Sequence, residues 1–194
     1  ADVVITATGF DLSVLGDIPF SVDGRPVSWP HTVTYRGMMF TGVPNMLWVF
    51  GYFRASWTLR ADLISDFVVR LLTFMGEHGH HRVVPELRPD DAEMPILDWL
   101  DPENFNPGYL MRGMHLLPKR LDRPEWQHTQ DYWHEREALP AIDLDDGRLQ
   151  ELDVAAHHAA PIDGSYPAKT IPCLGSITTR VHGQRAAKRT RNAS

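Results

Sequence analysis

The fold is decided by residues 46–76, which read MLWVFGYFRASWTLRADLISDFVVRLLTFMG. Residues 46–50 form an apolar run without alternation, which is typical of a strand that is covered on both faces. Apolar residues then recur at helical spacing, at positions 59, 63, 64, 67, 68, 71, 72 and 75. Ser56 is a favourable N-cap, and Gly76 or Gly79 would end the helix. The stretch therefore predicts an α/β unit of strand, short loop and helix of about five turns.

The loop between these two elements, residues 51–55, is a candidate ligand site. In open α/β sheets, ligands gather at the carboxyl ends of strands. The free N–H groups and the dipole of the following helix favour an anion or an electron-rich carbonyl. Tyr52, Phe53 and Trp57 add flat apolar surface beside those donors. The site suits a planar heteroaromatic ligand with developing negative charge, and the same aromatic residues are equally consistent with packing alone.

The flanking segments predict shorter elements. The β-branched run at residues 3–5 predicts a buried strand that ends in a tight turn at Gly9. Residues 11–35 are rich in Asp, Gly and Pro and predict a loop with a hairpin around Asp23-Gly24. Further along, the sequence predicts a helix from Pro107 to about Leu117, a helix from Pro124 to about Glu137, a turn at Asp145-Asp146-Gly147 and a mobile tail from residue 155.

Composition and charge argue against several classes of protein. The longest apolar run has eight residues, whereas a membrane-spanning helix needs about 20. The net charge is −6, and residues 1–154 hold 13 basic and 24 acidic residues, so we expect no nucleic-acid partner. Residues 155–194 hold six basic residues and one acidic residue. The single cysteine, Cys173, excludes a disulfide framework and fits a cytoplasmic protein.

The histidines do not predict a metal site. His78, His80 and His81 follow the predicted helix end, where His suits the negative end of the helix dipole. Zinc would need converging ligands, usually with a Cys or carboxylate partner. The sequence has no glycine-rich dinucleotide loop and no nucleophile elbow, so we assign no catalytic residue and no metal ligand. Because Ala1 lies one residue before an apolar run, we expect a C-terminal fragment of a longer protein.

Several motifs, in order along residues 1–150, resemble those of the flavin-containing and Baeyer–Villiger monooxygenases. ATGF at 7–10 resembles the segment that in this family returns the chain from the NADPH domain to the FAD domain. The end of the family's FAD domain is similar to YRGMM at 35–39, GVPNML at 42–47, FGY at 50–52 and ASWTLR at 55–60. The C-terminus of the bacterial branch that includes the ethionamide-activating monooxygenase is similar to Gly108-Tyr109, Pro118-Lys119, Trp126 and Gln130-Asp131-Tyr132.

The resemblance implies the C-terminal part of an α/β flavoprotein with two dinucleotide-binding domains. Residues 1–10 would return from the NADPH domain, residues 11–154 would complete the FAD domain, and residues 155–194 would form a mobile basic tail. NADPH would reduce FAD, O2 would add to give a flavin C4a-peroxide, and this would oxygenate a ketone or a soft heteroatom of a small molecule. By resemblance, the cofactor-binding residues would be Gly9, Gly51, Ser56, Trp57 and Thr58, and the substrate pocket would include Tyr52, Phe53 and Trp57.

Two other functions stay open at the level of sequence. One is a related flavin-dependent reductase that makes no oxygenated product. The other is a truncated, non-catalytic remnant or binding module whose basic tail contacts an acidic partner. Under the monooxygenase resemblance, this chain would hold one wall of the flavin site and no complete catalytic apparatus.

Overall fold

A mixed arrangement of short helices and strands surrounds one long helix. The computed structural model describes residues 2–146, 149–152 and 177–179. The α-helices are α1 (Trp57–His78), α2 (Pro89–Ala92), α3 (Gly108–Gly113) and α4 (Tyr132–Ala138). The strands are β1 (Phe20–Val22), β2 (Arg25–Pro26), β3 (Thr34–Tyr35), β4 (Met39–Phe40), β5 (Arg82–Pro85), β6 (Ile96–Asp98), β7 (Lys119–Leu121), β8 (Leu149–Leu152) and β9 (Ile177–Thr179). Short 3₁₀ segments occupy Val14–Asp17, Trp29–His31, Met114–Leu116 and Pro124–Trp126.

The strands pair in four small antiparallel sheets. Their orders are β2-β1-β9, β3-β4, β5-β8 and β6-β7. The hairpin of β1 and β2 turns at Asp23-Gly24, as the sequence predicts. None of these sheets has parallel strands in the described part of the chain. The expectation of an α/β chain is thus confirmed only as a mixture of helices and strands, and the site near residue 51 does not lie at the end of a parallel strand.

Helix α1 is confirmed as the central element. It begins at Trp57, directly after Ser56, and Gly79 ends it with φ at 70° in the left-handed region. Glycine adopts that conformation without a steric cost, which is why it closes helices. The buried face of α1 packs into the largest hydrophobic cluster of the described residues, together with β5 and the segment that follows α4; its members include Ile64, Phe67, Leu71, Met75, Val83, Trp126 and Leu139.

Residues 46–50 do not form the predicted strand. They have no regular secondary structure and no ladder partner, and Trp48 N donates to Met38 O at 2.7 Å. The apolar side chains pack as an aromatic cluster instead, with the Trp48 ring 5.1 Å from that of Trp99 and 5.6 Å from that of Phe40. A short apolar run shows that a segment is buried, and it does not show what pairs with its backbone.

The predicted strand at residues 3–5 is also absent. Val3, Val4 and Ile5 are exposed, with Ile5 at 88%. β-branched residues favour an extended backbone, but a strand also needs a hydrogen-bonding neighbour. Among the residues that the structure describes, no strand lies beside this run.

The C-terminal helices are shorter than predicted. Pro107 is the residue before α3 and not its first residue, and α3 gives way to 3₁₀ geometry at Met114. The single helix predicted from Pro124 is two elements, because the backbone is extended at Gln127 and left-handed at Gln130, where φ is 55°. Asp131 then starts α4 as a true N-cap, its side chain accepting from the N–H groups of residues 133 and 134.

Part of the predicted mobile tail is a strand. Ile177–Thr179 forms β9 and pairs antiparallel with β1, with Phe20 opposite Thr179 and Val22 opposite Ile177. Three successive β-branched residues favour this conformation. Cys173, Gly147 and the rest of the predicted tail lie outside the described residues.

The described residues include neither a candidate membrane span nor a cluster of candidate metal ligands. They contain no helix that is long and apolar enough to cross a membrane. They also contain no group of three or more His, Cys, Asp or Glu side chains that could hold a metal ion.

Candidate functional site

The loop of residues 51–55 packs against the start of α1 through the Trp57 side chain. A Cβ atom added at Gly51 would lie 2.3 Å from Cδ2 of Trp57, well inside any real contact distance. The centroid of the Phe50 ring is 4.9 Å from that of Trp57. Trp57 is nevertheless 48% exposed, so part of its ring is open. Glycine is needed at position 51 because the indole ring lies directly on the backbone.

The first turn of α1 presents unused backbone donors. Ser56 occupies the predicted N-cap position, but its side chain makes no capping bond. Its Oγ is instead 2.8 Å from Oγ1 of Thr58, hydroxyl to hydroxyl. The N–H groups of Trp57 and Thr58 therefore receive no acceptor from the N-cap side chain. Free N–H groups at the positive end of a 22-residue helix favour an electron-rich or anionic group.

A buried ion pair lies beneath the loop. Arg60 Nε donates to Glu135 Oε2 at 2.7 Å, and the two side chains are 1% and 5% exposed. Other guanidinium N–H groups donate to the carbonyl oxygens of Phe50 at 2.8 Å and Arg36 at 2.7 Å. One buried cation thus joins α1, α4 and the backbone that leads into the loop. A buried charge is tolerated only with such complete pairing.

Tyr52 belongs to this buried cluster. Its side chain faces the protein interior, and its hydroxyl donates to Glu135 Oε2 at 2.7 Å. Burial raises the pKa of the Tyr52 hydroxyl above its ordinary value, and the hydrogen bond to Glu135 acts in the same direction. The Tyr52 hydroxyl therefore binds the ion pair, and the assignment of Tyr52 to a substrate pocket stays a prediction. The hydroxyl shares Oε2 of Glu135 with Arg60 Nε, because a carboxylate oxygen has lone pairs for more than one donor.

Phe53 lines a cavity of about 490 Å³ beside the loop. Its ring stacks on Phe105 with the centroids 4.3 Å apart. Trp99 also lines the cavity, and its buried indole N–H has no acceptor among the described residues. Arg54 and Arg120 add positive charge to the lining. Aromatic walls with a few polar groups and an unused donor are typical of a ligand pocket.

The polar side of this cavity is a chain of hydrogen bonds through Gln130 and His128. Phe53 N donates to Gln130 Oε1 at 2.8 Å, and Gln130 Nε2 donates to Gly51 O at 3.3 Å. Gln130 Nε2 is also 3.3 Å from His128 Nδ1, and His128 Nε2 donates to Trp99 O at 3.0 Å. Burial lowers the pKa of His128 to about 3, so the ring is neutral at ordinary pH.

Gly9 has open space around it. Its φ of 88° fits the predicted tight turn, and an added Cβ would meet nothing within 4 Å. The next residue, Phe10, is tied to α3, because Arg112 Nη2 donates to Phe10 O at 3.1 Å. Over the described residues, no recorded hydrogen bond joins Gly9 to the loop. The assignments of Gly9, Gly51, Ser56, Trp57 and Thr58 to a cofactor stay predictions.

Several residues that shape the site were not found from the sequence. Arg60 carried a signal, because it falls on the buried face of α1 in register with Ile64 and Phe67. A charged residue in that position indicates a buried partner. Gln130 was noted only as part of the motif Gln130-Asp131-Tyr132. Nothing in the sequence around His128 indicated a role at the site.

The known proteins to which this chain is similar are named FAD-containing or FAD-binding monooxygenases. The chain is 41% identical over 162 residues to the FAD-containing monooxygenase EthA of Mycolicibacterium smegmatis, a match that covers 82% of this chain and 31% of that protein. It is 41% identical over 152 residues to EthA of Mycobacterium tuberculosis, covering 77% of this chain and 30% of the relative. It is 36% identical over 149 residues to the "Probable FAD-binding monooxygenase AlmA" of Acinetobacter baylyi, a match that covers 77% of this chain and 29% of that protein.

The matched region includes the loop and the first turn of α1. A match that covers 82% of a 194-residue chain must include residues 51–58, wherever in the chain the match begins. No protein-family model matches the chain, and no solved structure matches it. The chain spans about 30% of the length of the curated relatives it matches. On this identity, the chain belongs to the FAD-containing monooxygenases.

Proposed function

We propose that this chain is the C-terminal part of an enzyme that uses FAD, NADPH and O2 to transfer one oxygen atom to a small organic molecule. The observation that carries the proposal is the 41% identity over 162 residues to an FAD-containing monooxygenase. The chain spans only 31% of that relative, so the complete activity requires a longer protein. The substrates are ketones, in a Baeyer–Villiger oxidation, or soft heteroatoms such as thioether sulfur. A cytoplasmic location fits the single cysteine of the sequence.

The residues at the start of α1 fit a flavin. The free N–H groups of Trp57 and Thr58 offer donors to an electron-rich carbonyl, and the helix dipole favours negative charge at that point. Glycine at position 51 leaves room for the Trp57 ring, which lies where a side chain of residue 51 would be. Bound there, FAD supplies the activation of O2. The chain's own part is to hold the ring and to stabilise charge on it.

The Phe53 cavity fits the apolar part of a substrate. The stacked rings of Phe53 and Phe105 give an aromatic wall, and the indole N–H of Trp99 is a donor without an acceptor in the described part of the chain. In this proposal Tyr52 helps to hold the loop in place through its hydrogen bond to Glu135. Phe53 and Trp57 contact the ligand.

The test uses the full-length protein that carries this chain. It should purify with the yellow absorbance of bound FAD, oxidise NADPH and incorporate one atom of ¹⁸O from ¹⁸O2 into a ketone or a thioether. Trp57→Ala should change the ratio of ester to sulfoxide product. Trp133→Ala is the matched control, because Trp133 is 70% exposed on α4 and lies outside the proposed site.

Two outcomes would overturn the proposal. Oxidation of NADPH with no labelled product would indicate a flavin reductase. A full-length protein without flavin would indicate a non-catalytic module.

The 194-residue chain alone should bind FAD weakly. Its sequence has no glycine-rich dinucleotide loop, and such a loop normally holds the pyrophosphate at the first βα turn. Fluorescence titration of FAD with the purified chain should show no saturation in the micromolar range. Co-purification with stoichiometric flavin would contradict this expectation.

A further inference from the structure

The side-chain amide of Gln130 bridges two backbone groups of the loop. Its Oε1 accepts from Phe53 N at 2.8 Å, and its Nε2 donates to Gly51 O at 3.3 Å. The two backbone groups belong to residues two positions apart, and both bind the same side-chain amide. Residues 51–53 have no regular secondary structure, so the amide takes the place of a neighbouring strand.

The direction of this amide is determined by His128. A carbonyl can only accept, so the contact of 3.0 Å to Trp99 O requires a proton on Nε2 of His128. The neutral ring then has an acceptor at Nδ1, which lies 3.3 Å from Gln130 Nε2. Burial keeps the ring neutral by lowering its pKa, with the charges of Arg60 and Arg120 acting in the same direction and the bond to Trp99 opposing them. A flipped amide would place an oxygen against Nδ1 and lose both contacts.

The backbone at Gln130 is held in a costly conformation. Its φ of 55° lies in the left-handed region, which residues with a Cβ rarely adopt. The segment is tied on both sides, because Thr129 N donates to Glu135 Oε1 at 3.2 Å and Asp131 caps α4. Such strain persists where the surroundings over-determine it, which is common at functional sites.

We propose that Gln130 is a positioning residue of the flavin site: its amide sets the direction of the Gly51 carbonyl and the Phe53 N–H, and His128 fixes the orientation of that amide. The inference rests on the proposed function, which places residues 51–53 beside the flavin. It assigns to Gln130 no contact with substrate or flavin. Loss of the amide shifts the loop, and the loop in turn alters the surroundings of the flavin ring.

Asn45 provides a matched control within the same chain. Its side-chain amide also bridges two backbone groups two residues apart, donating to His81 O at 3.2 Å and accepting from Val83 N at 2.9 Å. Its φ of 53° is almost the same as that of Gln130. The Asn45 bridge holds the start of β5 and makes no recorded contact with residues 51–58. Equal substitutions at the two positions therefore separate a local loss of packing from an effect on the flavin.

The first experiment compares Gln130→Ala with Asn45→Ala. Hydrogen exchange in the chain should speed up about fivefold at Phe53 N–H in Gln130→Ala, which is the factor expected for one lost hydrogen bond. A similar factor should appear at Val83 N–H in Asn45→Ala. In the full-length, FAD-loaded protein, the midpoint potential of the flavin should shift in Gln130→Ala and stay at the wild-type value in Asn45→Ala.

The second experiment uses isosteric variants that keep the fold. Gln130→Glu retains an acceptor for Phe53 N–H but places a carboxylate oxygen against Nδ1 of His128. The imidazole signal of His128 should then titrate at a higher pH than in the wild type, whereas Asn45→Asp should leave that titration unchanged. The flavin potential should again shift only in the Gln130 variant.

The inference is overturned if Phe53 exchange in Gln130→Ala matches the wild type. It is also overturned if FAD is bound in both Gln130 variants with an unchanged potential. A full-length wild-type protein that binds no FAD refutes the proposed function itself, and is recognised by its missing flavin absorbance before any variant is made.

Discussion

Replacing Glu135 with Gln should lower the free energy of unfolding by about 3–5 kcal/mol, the cost of removing one partner from a buried ion pair. The side chains of Arg60 and Glu135 are 1% and 5% exposed, so water cannot replace the lost charge. Oε2 accepts from Arg60 Nε and from Tyr52 OH, both at 2.7 Å, and Oε1 accepts from Thr129 N at 3.2 Å. An amide cannot accept on both atoms, so one donor must face another donor.

Urea unfolding followed by tryptophan fluorescence measures this loss. The midpoint should fall with an unchanged slope, and the melting temperature should fall by about 6–20 °C for a chain of this size. Tyr52→Phe removes one donor and leaves the ion pair, so it should cost about 1 kcal/mol. Glu137→Gln on the exposed face of α4 is the control, and it should change the stability by less than about 0.5 kcal/mol.

The reasoning would be refuted if Glu135→Gln cost no more than Glu137→Gln. It would also be refuted if Tyr52→Phe cost as much as Glu135→Gln, since the hydroxyl and not the ion pair would then dominate.

Three further predictions follow from the same contacts. Gly51→Ala should cost about 1–3 kcal/mol, because its Cβ would overlap the Trp57 ring, whereas Gly76→Ala within α1 has open space and should gain about 0.5–1 kcal/mol. The lowered pKa of His128 means that the folded state binds fewer protons than the unfolded state, so stability should fall as pH drops from 6.5 toward 3; His128→Gln should flatten that dependence. Ser56→Ala should change stability by less than about 0.5 kcal/mol, because the hydroxyl makes no capping bond.

Urea unfolding at several pH values tests all three. Equal losses in the two glycine variants would show that the ring does not lie on the loop backbone. Parallel pH profiles for wild type and His128→Gln would show that the imidazole is not held neutral by the fold. A loss of 1 kcal/mol or more in Ser56→Ala would mean that its hydroxyl caps α1 after all.

The sequence by itself determined α1 and the hairpin of β1 and β2. Both depend on local rules: the spacing of apolar residues brings one face of a helix together, and aspartate and glycine are among the residues that tolerate the left-handed angles at Asp23, Gly24 and Gly79. The ordered motifs also indicated the family, and the 41% identity over 162 residues to an FAD-containing monooxygenase agrees with that prediction.

Only the tertiary structure decided what surrounds the loop. Glu135 is 83 residues from Tyr52 in sequence, and Gln130 is 77 residues from Phe53, so no local pattern could pair them. The same limit explains residues 46–50: their apolar side chains showed that they would be buried, but a strand depends on a neighbouring backbone that local sequence does not specify. Aromatic packing against Trp99 took the place of a sheet, and the buried carboxylate of Glu135 holds the Tyr52 hydroxyl in the interior.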